Sequence, residues 1–315
     1  MTVISAFLGT GSGGPVTPTN VIALTVAADG TNGTGSFTLP AGWTSYSTII
    51  CVGGGGSGAN PGSNSTNSNA AINAGGGGGA AWAEVTGLGI AGGTVNYQIG
   101  YGGTQNPSFP AIGATGRAGQ TTWVNFTTTG QPSGTGDGVA AGGGGGGQLG
   151  LTGNSTGGLV VMGIVAYAGG SGSGSFTGTT ALGGGGGGTG GRNPAGTTAG
   201  QGQSLGNSAQ AGTSGSGAQL FSTNGGLAGT VGSAGTNAFT TTSNSLSGSF
   251  TNTTIIGNGV LVGAGTGGNG GQASSGVTSD GGRGAYGGGG GGGGRIGLAN
   301  AGGGNGGNGL IILYF

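Results

Sequence analysis

The stretch "AYGGGGGGGGRIG", residues 285 to 297, sets eight consecutive glycines, Gly287 to Gly294, between a tyrosine and an arginine. It can be read as a flexible tether, as a phosphate-cradling loop, or as ordered structure that only glycine can build. A phosphate loop of the P-loop kind needs Gly-Lys, and the chain has no lysine. "GTGSGG" at 9 to 14 matches a dinucleotide fingerprint, but 97 of 315 residues are glycine, so such a match is expected by chance and no helix follows it.

The tether reading meets a second obstacle, because apolar segments of strand type punctuate the glycine. They are "NVIALTVAA" (20 to 28), "SFTLPAGW" (36 to 43), "STIICV" (47 to 52), "TVNYQIG" (94 to 100), "TTWVNF" (121 to 126), "LVVMGIV" (159 to 165), "NTTIIGNGVLVG" (252 to 263) and "GLIILYF" (309 to 315). In the fourth, Val95, Tyr97 and Ile99 alternate with polar residues, the period of a strand with one buried face. Helix is disfavoured, since each interior glycine costs about 1 kcal/mol relative to alanine. "DGTNG" (29 to 33) predicts a hairpin between the first two strands, and Pro40-Ala41-Gly42 predicts a turn.

Pure glycine runs recur at 53–56, 75–79, 142–147, 183–188 and 287–294, with a broken tract, "AGGGNGGNG", at 301–309. Ordering glycine costs more conformational entropy than ordering any other residue, so ordered runs must gain through their backbone polar groups. A threefold extended helix of polyproline II type points those groups outward at about 3.1 Å rise per residue. Packed side by side, such helices exchange hydrogen bonds worth a net ~0.5–1.5 kcal/mol each, provided no Cβ holds them apart. The eight-glycine run, roughly 25 Å long at that rise, is then expected as the central rod, with glycine at every position. "GTGGNGGQASSG" (265 to 276) and "AGGGNGGNG" are expected at the periphery. The absence of a Gly-X-Y period and the eight prolines argue against collagen. An all-β fold with glycine-rich loops remains the alternative. The predicted fold class is therefore all-β and irregular: an antiparallel β-rich N-terminal part packed with a bundle of polyglycine II helices, essentially without α-helix.

Charge excludes several functions. The cations are Arg117, Arg192, Arg283 and Arg295, the anions Asp29, Glu84, Asp137 and Asp280, and histidine is absent. Four scattered arginines cannot supply the clustered phosphate contacts of a nucleic-acid binder. Without histidine no serine triad or cysteine–histidine pair can be built, and a zinc site is close to excluded. Lone Cys51 reads as a small buried apolar residue, Asp29 and Asp137 as turn residues, and Glu84 as a cap for backbone N–H groups or an arginine's partner. The arginines are expected to satisfy loose carbonyls at rod ends, or else to contact an anionic receptor group. The expectation is a non-enzyme with no cofactor and no metal. The N-terminus lacks a basic n-region and does not read as a Sec signal, and "LVVMGIVAYAG" (159 to 169) is too short for a membrane helix of ~20 residues.

The order of "SFTLPAGWTSYSTIICVGGGGSG", "AGGGGGAAW", "VNYQIGYGG", "GATGRAGQTTWVN", "VAAGGGGGGQ", "ALGGGGGGTGG", "YGGGGGGGGR" and "GNGGNGLIILYF" resembles the glycine-rich domain of bacteriophage tail-fibre and tail-tip proteins, over about residues 21 to 315. It is similar to the tip adhesins of T-even-type long tail fibres, from which it departs in its β-rich first third and its apolar C-terminal strand. The resemblance implies variable receptor-binding loops on a polyglycine II scaffold, in a virion protein that attaches to the host surface. A purely structural virion subunit or a self-assembling extracellular fibre would share the scaffold. A polyglycine antifreeze protein would want a flat threonine or alanine face and disulfides, against which the long irregular loops argue.

Loops on a rigid frame are where recognition concentrates. The candidates are 57–74, 104–117, 189–203 and 235–253, in which Asn64, Asn67, Arg192 and Asn193 offer hydrogen bonds and Phe109, Phe239 and Phe250 offer apolar anchors. The partners expected are a host cell-surface glycan or outer-membrane protein, other tail subunits, and further copies of the chain in a homo-oligomer; nucleic acid and membrane insertion are not expected. Residues 1–20 read as a docking arm and linker with Val3, Ile4, Phe7 and Leu8 as its contacts. Residues 21–315 read as one glycine-rich domain, β-rich over 21–130 and mainly rods, loops and a closing strand over 131–315.

Overall fold

The computed structural model describes residues 21–26, 33–60, 72–104, 113–149, 156–163, 165–172, 176–177, 181–182, 184–190, 253–256, 272–273, 280–284, 286–295 and 302–315. Among them there is no helix. The strands are β1 (Val21–Thr25), β2 (Thr34–Thr38), β3 (Thr48–Val52), β4 (Ile72–Asn73), β5 (Trp82–Thr86), β6 (Thr94–Gln98), β7 (Thr122–Asn125), β8 (Gly138–Ala141), β9 (Val160–Met162), β10 (Val165–Tyr167), β11 (Phe176–Thr177), β12 (Ala181–Leu182), β13 (Thr253–Ile256), β14 (Gln272–Ala273), β15 (Gly294–Arg295) and β16 (Leu310–Tyr314).

Two antiparallel sheets carry the core, one in the order β10-β5-β3-β16-β1-β13 and one in the order β2-β6-β7-β8-β9. Ile22, Leu24, Ile49, Cys51, Val85, Ile311 and Leu313 of the first meet Phe37, Val95, Val124 and Val139 of the second in a single apolar cluster. β3 and β16 are buried at every residue, with Ile50, Val52, Leu310 and Ile312 on the opposite face fully enclosed as well. That is why "TIICV" and "LIILY" read as unbroken apolar runs, whereas β6, with one buried face, alternates.

The expected hairpin falls on residues of which 29–32 lie outside the described ones, but the strands on either side are not paired: β1 hydrogen-bonds to β13 and β16, and β2, in the other sheet, to β6. Turn chemistry specifies a reversal locally, but partner choice follows from which faces can be buried together. The Pro40 turn is present, with the Trp43 N–H donating to the Pro40 carbonyl at 3.0 Å. The run 159–165 is two strands, β9 and β10, lying in different sheets. Strand β8 is hard to read from the sequence because alanine and glycine, weak strand formers, make up most of it, and in β5 the alternation is broken by Ala83 and the buried Glu84.

Each central strand continues at one end into a glycine tract. β3 leads into 53–60, β6 into 100–104 and β8 into 142–149, while 74–81, 113–121 and 302–309 lead into β5, β7 and β16. Because neighbouring strands run antiparallel, all these exits lie at the same end of the sandwich. The tracts then bond to one another with a period of three. Gly53, Gly56 and Ala59 donate to the carbonyls of Ala81, Gly78 and Gly75; Gly54, Ser57 and Asn60 donate to Gln120, Arg117 and Ala114; Gly55 and Gly58 donate to Gly307 and Gly304. In return the carbonyls of Gly54 and Ser57 accept from Gly144 and Gly147, those of Gly56 and Ala59 from Gly290 and Gly293, and that of Gly55 from Gly103. One tract is thereby surrounded by six others.

Close approach excludes side chains along most of this tract. A Cβ on Gly55 would meet the Gly288 carbonyl oxygen, and one on Gly56 that of Gly145, both inside 3.0 Å. Among the described residues the eight-glycine run is bonded to the tracts around 56–59, 77–80, 184–187, 282 and 304–308, and 53–60, with only four consecutive glycines, is bonded to six, so a surrounded position does not require the longest glycine run. Nor is glycine needed throughout: Ser57 is fully buried there, and its hydroxyl accepts the Arg117 N–H at 2.8 Å. A short polar side chain fits where it supplies the acceptor that a neighbouring backbone would have supplied.

Candidate recognition surface

The tracts divide the molecule into two ends. Asn60 pairs with Ala114 and Ala74 with Leu149, in isolated bridges at the tract ends away from the sandwich. At that end, too, β4 pairs with β15, beyond 74–81 and 287–293. Asn60 and Ile72, which flank 61–71, and Gly113, which follows 105–112, therefore sit together at the distal end, while Thr104, before 105–112, lies part-way along the tracts beside Ser57. The residues flanking 191–252 do not: the Gly190 N–H donates to the Ala80 carbonyl beside β5, and Thr253 pairs with Leu24 of β1.

Asn64, Asn67, Phe109, Arg192, Asn193, Phe239 and Phe250 themselves lie outside the described residues, as do Val3, Ile4, Phe7 and Leu8. Of the described residues next to them, Asn60, Ile72 and Gly113 are at the distal end, Thr104 is part-way along the tracts, and Gly190 and Thr253 are at the sandwich.

A second surface is built from three tracts in one row. Gly306 and Gly309 donate to Gly103 and Gly100, and Gly281 and Gly284 donate to Gly302 and Asn305, so 100–104, 302–309 and 280–284 lie side by side over 53–60 and 287–293. Their sequences are Tyr101-Gly-Gly-Thr104, Asn305-Gly-Gly-Asn308 and Asp280-Gly-Gly-Arg283. With a three-residue repeat, both flanking residues of each tetrad take the same outward bearing while the two glycines between them serve the lattice. Thr104, Asn305, Asp280 and Arg283 are exposed and Tyr101 and Asn308 half-buried. The tract 113–121 borders the row, exposing Arg117 and Gln120.

At this margin a backbone N–H that lacks a neighbouring tract takes a side-chain acceptor instead. Thr122 Oγ1 accepts the Gly100 N–H (2.9 Å), Gln120 Oε1 that of Tyr101 (3.4 Å), Asn308 Oδ1 that of Gly102 (3.0 Å) and Asp280 Oδ1 that of Gly302 (2.6 Å). This is a different task from the one expected of the arginines, which is to satisfy carbonyls: a guanidinium has no acceptor to offer an N–H. The three x-Gly-Gly-x tetrads are the sequence signal that a search for pure glycine runs passes over.

The other chemistry-bearing groups are enclosed. Cys51 is a free, fully buried thiol, and burial pushes it well above the ordinary thiol range, so it stays protonated. Tyr314 is likewise raised, by burial first and then by the Glu84 carboxylate; Glu84 lies buried within β5, opposite Val165 of β10. Asp137 is a turn residue as expected, its N–H donating to Gly134 and one carboxylate oxygen accepting from Ser133. Among the described residues no group of three or more His, Cys, Asp or Glu could hold a metal, and no helix is long and apolar enough to cross a membrane. No protein-family model matches the chain, and no curated protein matches it.

Proposed function

We propose that this chain is a receptor-binding adhesin of a bacteriophage tail fibre or tail tip, in which a polyglycine II bundle carries variable loops to the host surface. The observation that carries the reading is the joint one above. Tracts bonded with a three-residue period run from one end of a sandwich, and the start of 61–71 meets the end of 105–112 at their far ends, where Asn60 pairs with Ala114. A lattice in which each backbone is fixed by several others is stiff, and a stiff mount lets connecting segments vary without disturbing the core. The scarcity of charge suits a binder of surface glycans or outer-membrane protein loops rather than of nucleic acid. On this reading the protein belongs to the virion, residues 1–20 dock it to other tail subunits through Val3, Ile4, Phe7 and Leu8, copies of the chain associate, and no cofactor or catalysis is involved. The test is adsorption of purified protein to host cells and to mutants lacking individual surface molecules. Binding lost with one such molecule supports the adhesin. Binding to none of them favours a structural subunit. Deleting residues 1–14 should prevent incorporation into particles and leave the domain folded; normal incorporation rejects the arm.

A further inference from the structure

The geometry points to a second binding site, on the flank of the bundle rather than at its tip: a flat platform for an acidic polysaccharide, with Arg117 and Arg283 as its carboxylate contacts. This deepens the adhesin reading and rests on it only for its biological meaning.

The bonds already described fix the layout. Gly306 donating to Gly103, and Gly284 donating to Asn305, set Thr104, Asn305 and Arg283 at one level on three adjacent tracts, pointing the same way. On the other side of Thr104, the Arg117 carbonyl accepts the Ser57 N–H, and a Cβ on Gly103 would meet that same oxygen, so Arg117 borders the row at this level. The result is a line across the bundle, Arg117, Thr104, Asn305, Arg283, with a guanidinium at either end and two neutral polar side chains between them.

Both guanidiniums are exposed, and neither enters an ion pair among the described residues. In a chain with only four cations, two of them stand on one face. Guanidinium forks match carboxylates bidentately, and a hydroxyl and an amide between them suit sugar hydroxyls. The supporting backbone is bonded on several sides, so little ordering is required on binding. Asp280 lies one repeat further out from Arg283, with one oxygen held by the Gly302 N–H, and its negative charge disfavours an anion running along that tract. The chain is therefore expected to lie across the tracts, spanning the two arginines.

The experiment uses the full chain and oligogalacturonate as probe, with methyl-esterified oligogalacturonate and dextran as neutral controls, titrated at low and at physiological salt. Expected are binding to the uronate alone, weakening with salt, and at least a tenfold loss in the Arg117→Gln/Arg283→Gln double variant at unchanged melting temperature. Arg283→Lys should recover less than half of the lost affinity, because a point charge lacks the fork. Undiminished binding by the double variant, or equal binding of the esterified oligomer, overturns the proposal. A uronate-free polymer of glycerol phosphate that binds equally well overturns the carboxylate assignment. Cell adsorption separates the two ideas: arginine-dependent uronate binding without adsorption to any host leaves the platform standing and removes the adhesin, whereas adsorption with no uronate binding does the reverse.

Discussion

Gly56→Ala tests the lattice at its most crowded point. Gly56 lies in the tract with six neighbours, and an added Cβ would come inside 3.0 Å of the Gly145 carbonyl oxygen, where ordinary contact starts at 3.4 Å. The obstacle is main chain that is itself tied down, since the Gly145 carbonyl accepts the Gly78 N–H at 2.8 Å, so no rotamer change relieves it. The two tracts must part, and the bonds between them are Gly144 N–H to the Gly54 carbonyl at 2.9 Å and Gly147 N–H to that of Ser57 at 2.8 Å. Counting one stranded buried group per broken bond, the N–H, at about 1–3 kcal/mol each, the two bonds together amount to roughly 2–6 kcal/mol. Against a typical domain stability of about 5–15 kcal/mol that is a large fraction. The assay is urea denaturation followed by tryptophan fluorescence, since Trp43, Trp82 and Trp123 are all buried and report unfolding. Gly136→Ala is the matched control. A Cβ there has nothing within 4 Å, and the lost freedom of the unfolded chain should leave stability unchanged or raised by about 0.4–1 kcal/mol. A Gly56→Ala protein within about 0.5 kcal/mol of the parent, well below the smallest loss reckoned from these bonds, would refute the idea that direct main-chain contact requires glycine here.

Three other outcomes are expected. Asn308→Ala strands the Gly102 N–H and should cost about 1–2 kcal/mol in the same assay, while Asn308→Asp, which keeps an acceptor at that place, should cost clearly less. Because the folded-state pKa values of Cys51 and Tyr314 are raised above their ordinary values of 9.0 and 10.0, both groups contribute stability that is fully present below about pH 9 and declines as pH rises, by up to ~1.4 kcal/mol per pH unit for each group in its window. Cys51→Ala should move the onset of that alkaline loss from about pH 9 to about pH 10, and denaturation curves at pH 8, 9.5 and 10.5 read it. Hydrogen exchange should find the N–H groups of residues 54–59 among the slowest in the chain, because all of them are bonded to other tracts or strand-linked segments. Thr115 and Ala118, which have no N–H partner among the described residues, should exchange fast; uniform exchange along both tracts would contradict the three-residue period.

The sequence is legible where one residue type has one physical use. Continuous apolar runs gave β3 and β16 because strands buried on both faces favour apolar residues at every position, and the alternation in "TVNYQIG" gave β6 because one of its faces is open. The presence of ordered glycine follows from the strand segments between the runs, which a tether would not have. Legibility fails where the outcome depends on partners distant in the chain. Nothing local to residues 29–33 says that β1 must join β16, nearly three hundred residues away, or that β2 must join the other sheet. The candidate loops were legible as polar connections between strand and glycine segments, but which described flanks share an end is decided by the direction in which each tract leaves the sandwich.

By itself, then, the sequence determined that the described residues are strand and glycine tract without helix, that charge chemistry is scarce, and that backbone groups must supply what side chains do not. Tertiary structure decided that 53–60 is surrounded, because coordination number depends on how many tracts converge at a place and not on the length of a glycine run: among the described residues 53–60 has six neighbouring tracts with only four consecutive glycines. It also decided the fate of the polar residues at the margin. Asn308, Gln120 and Asp280 are fixed by which N–H groups the lattice leaves without a neighbour, and that is a property of the edge of an array, which no single segment contains.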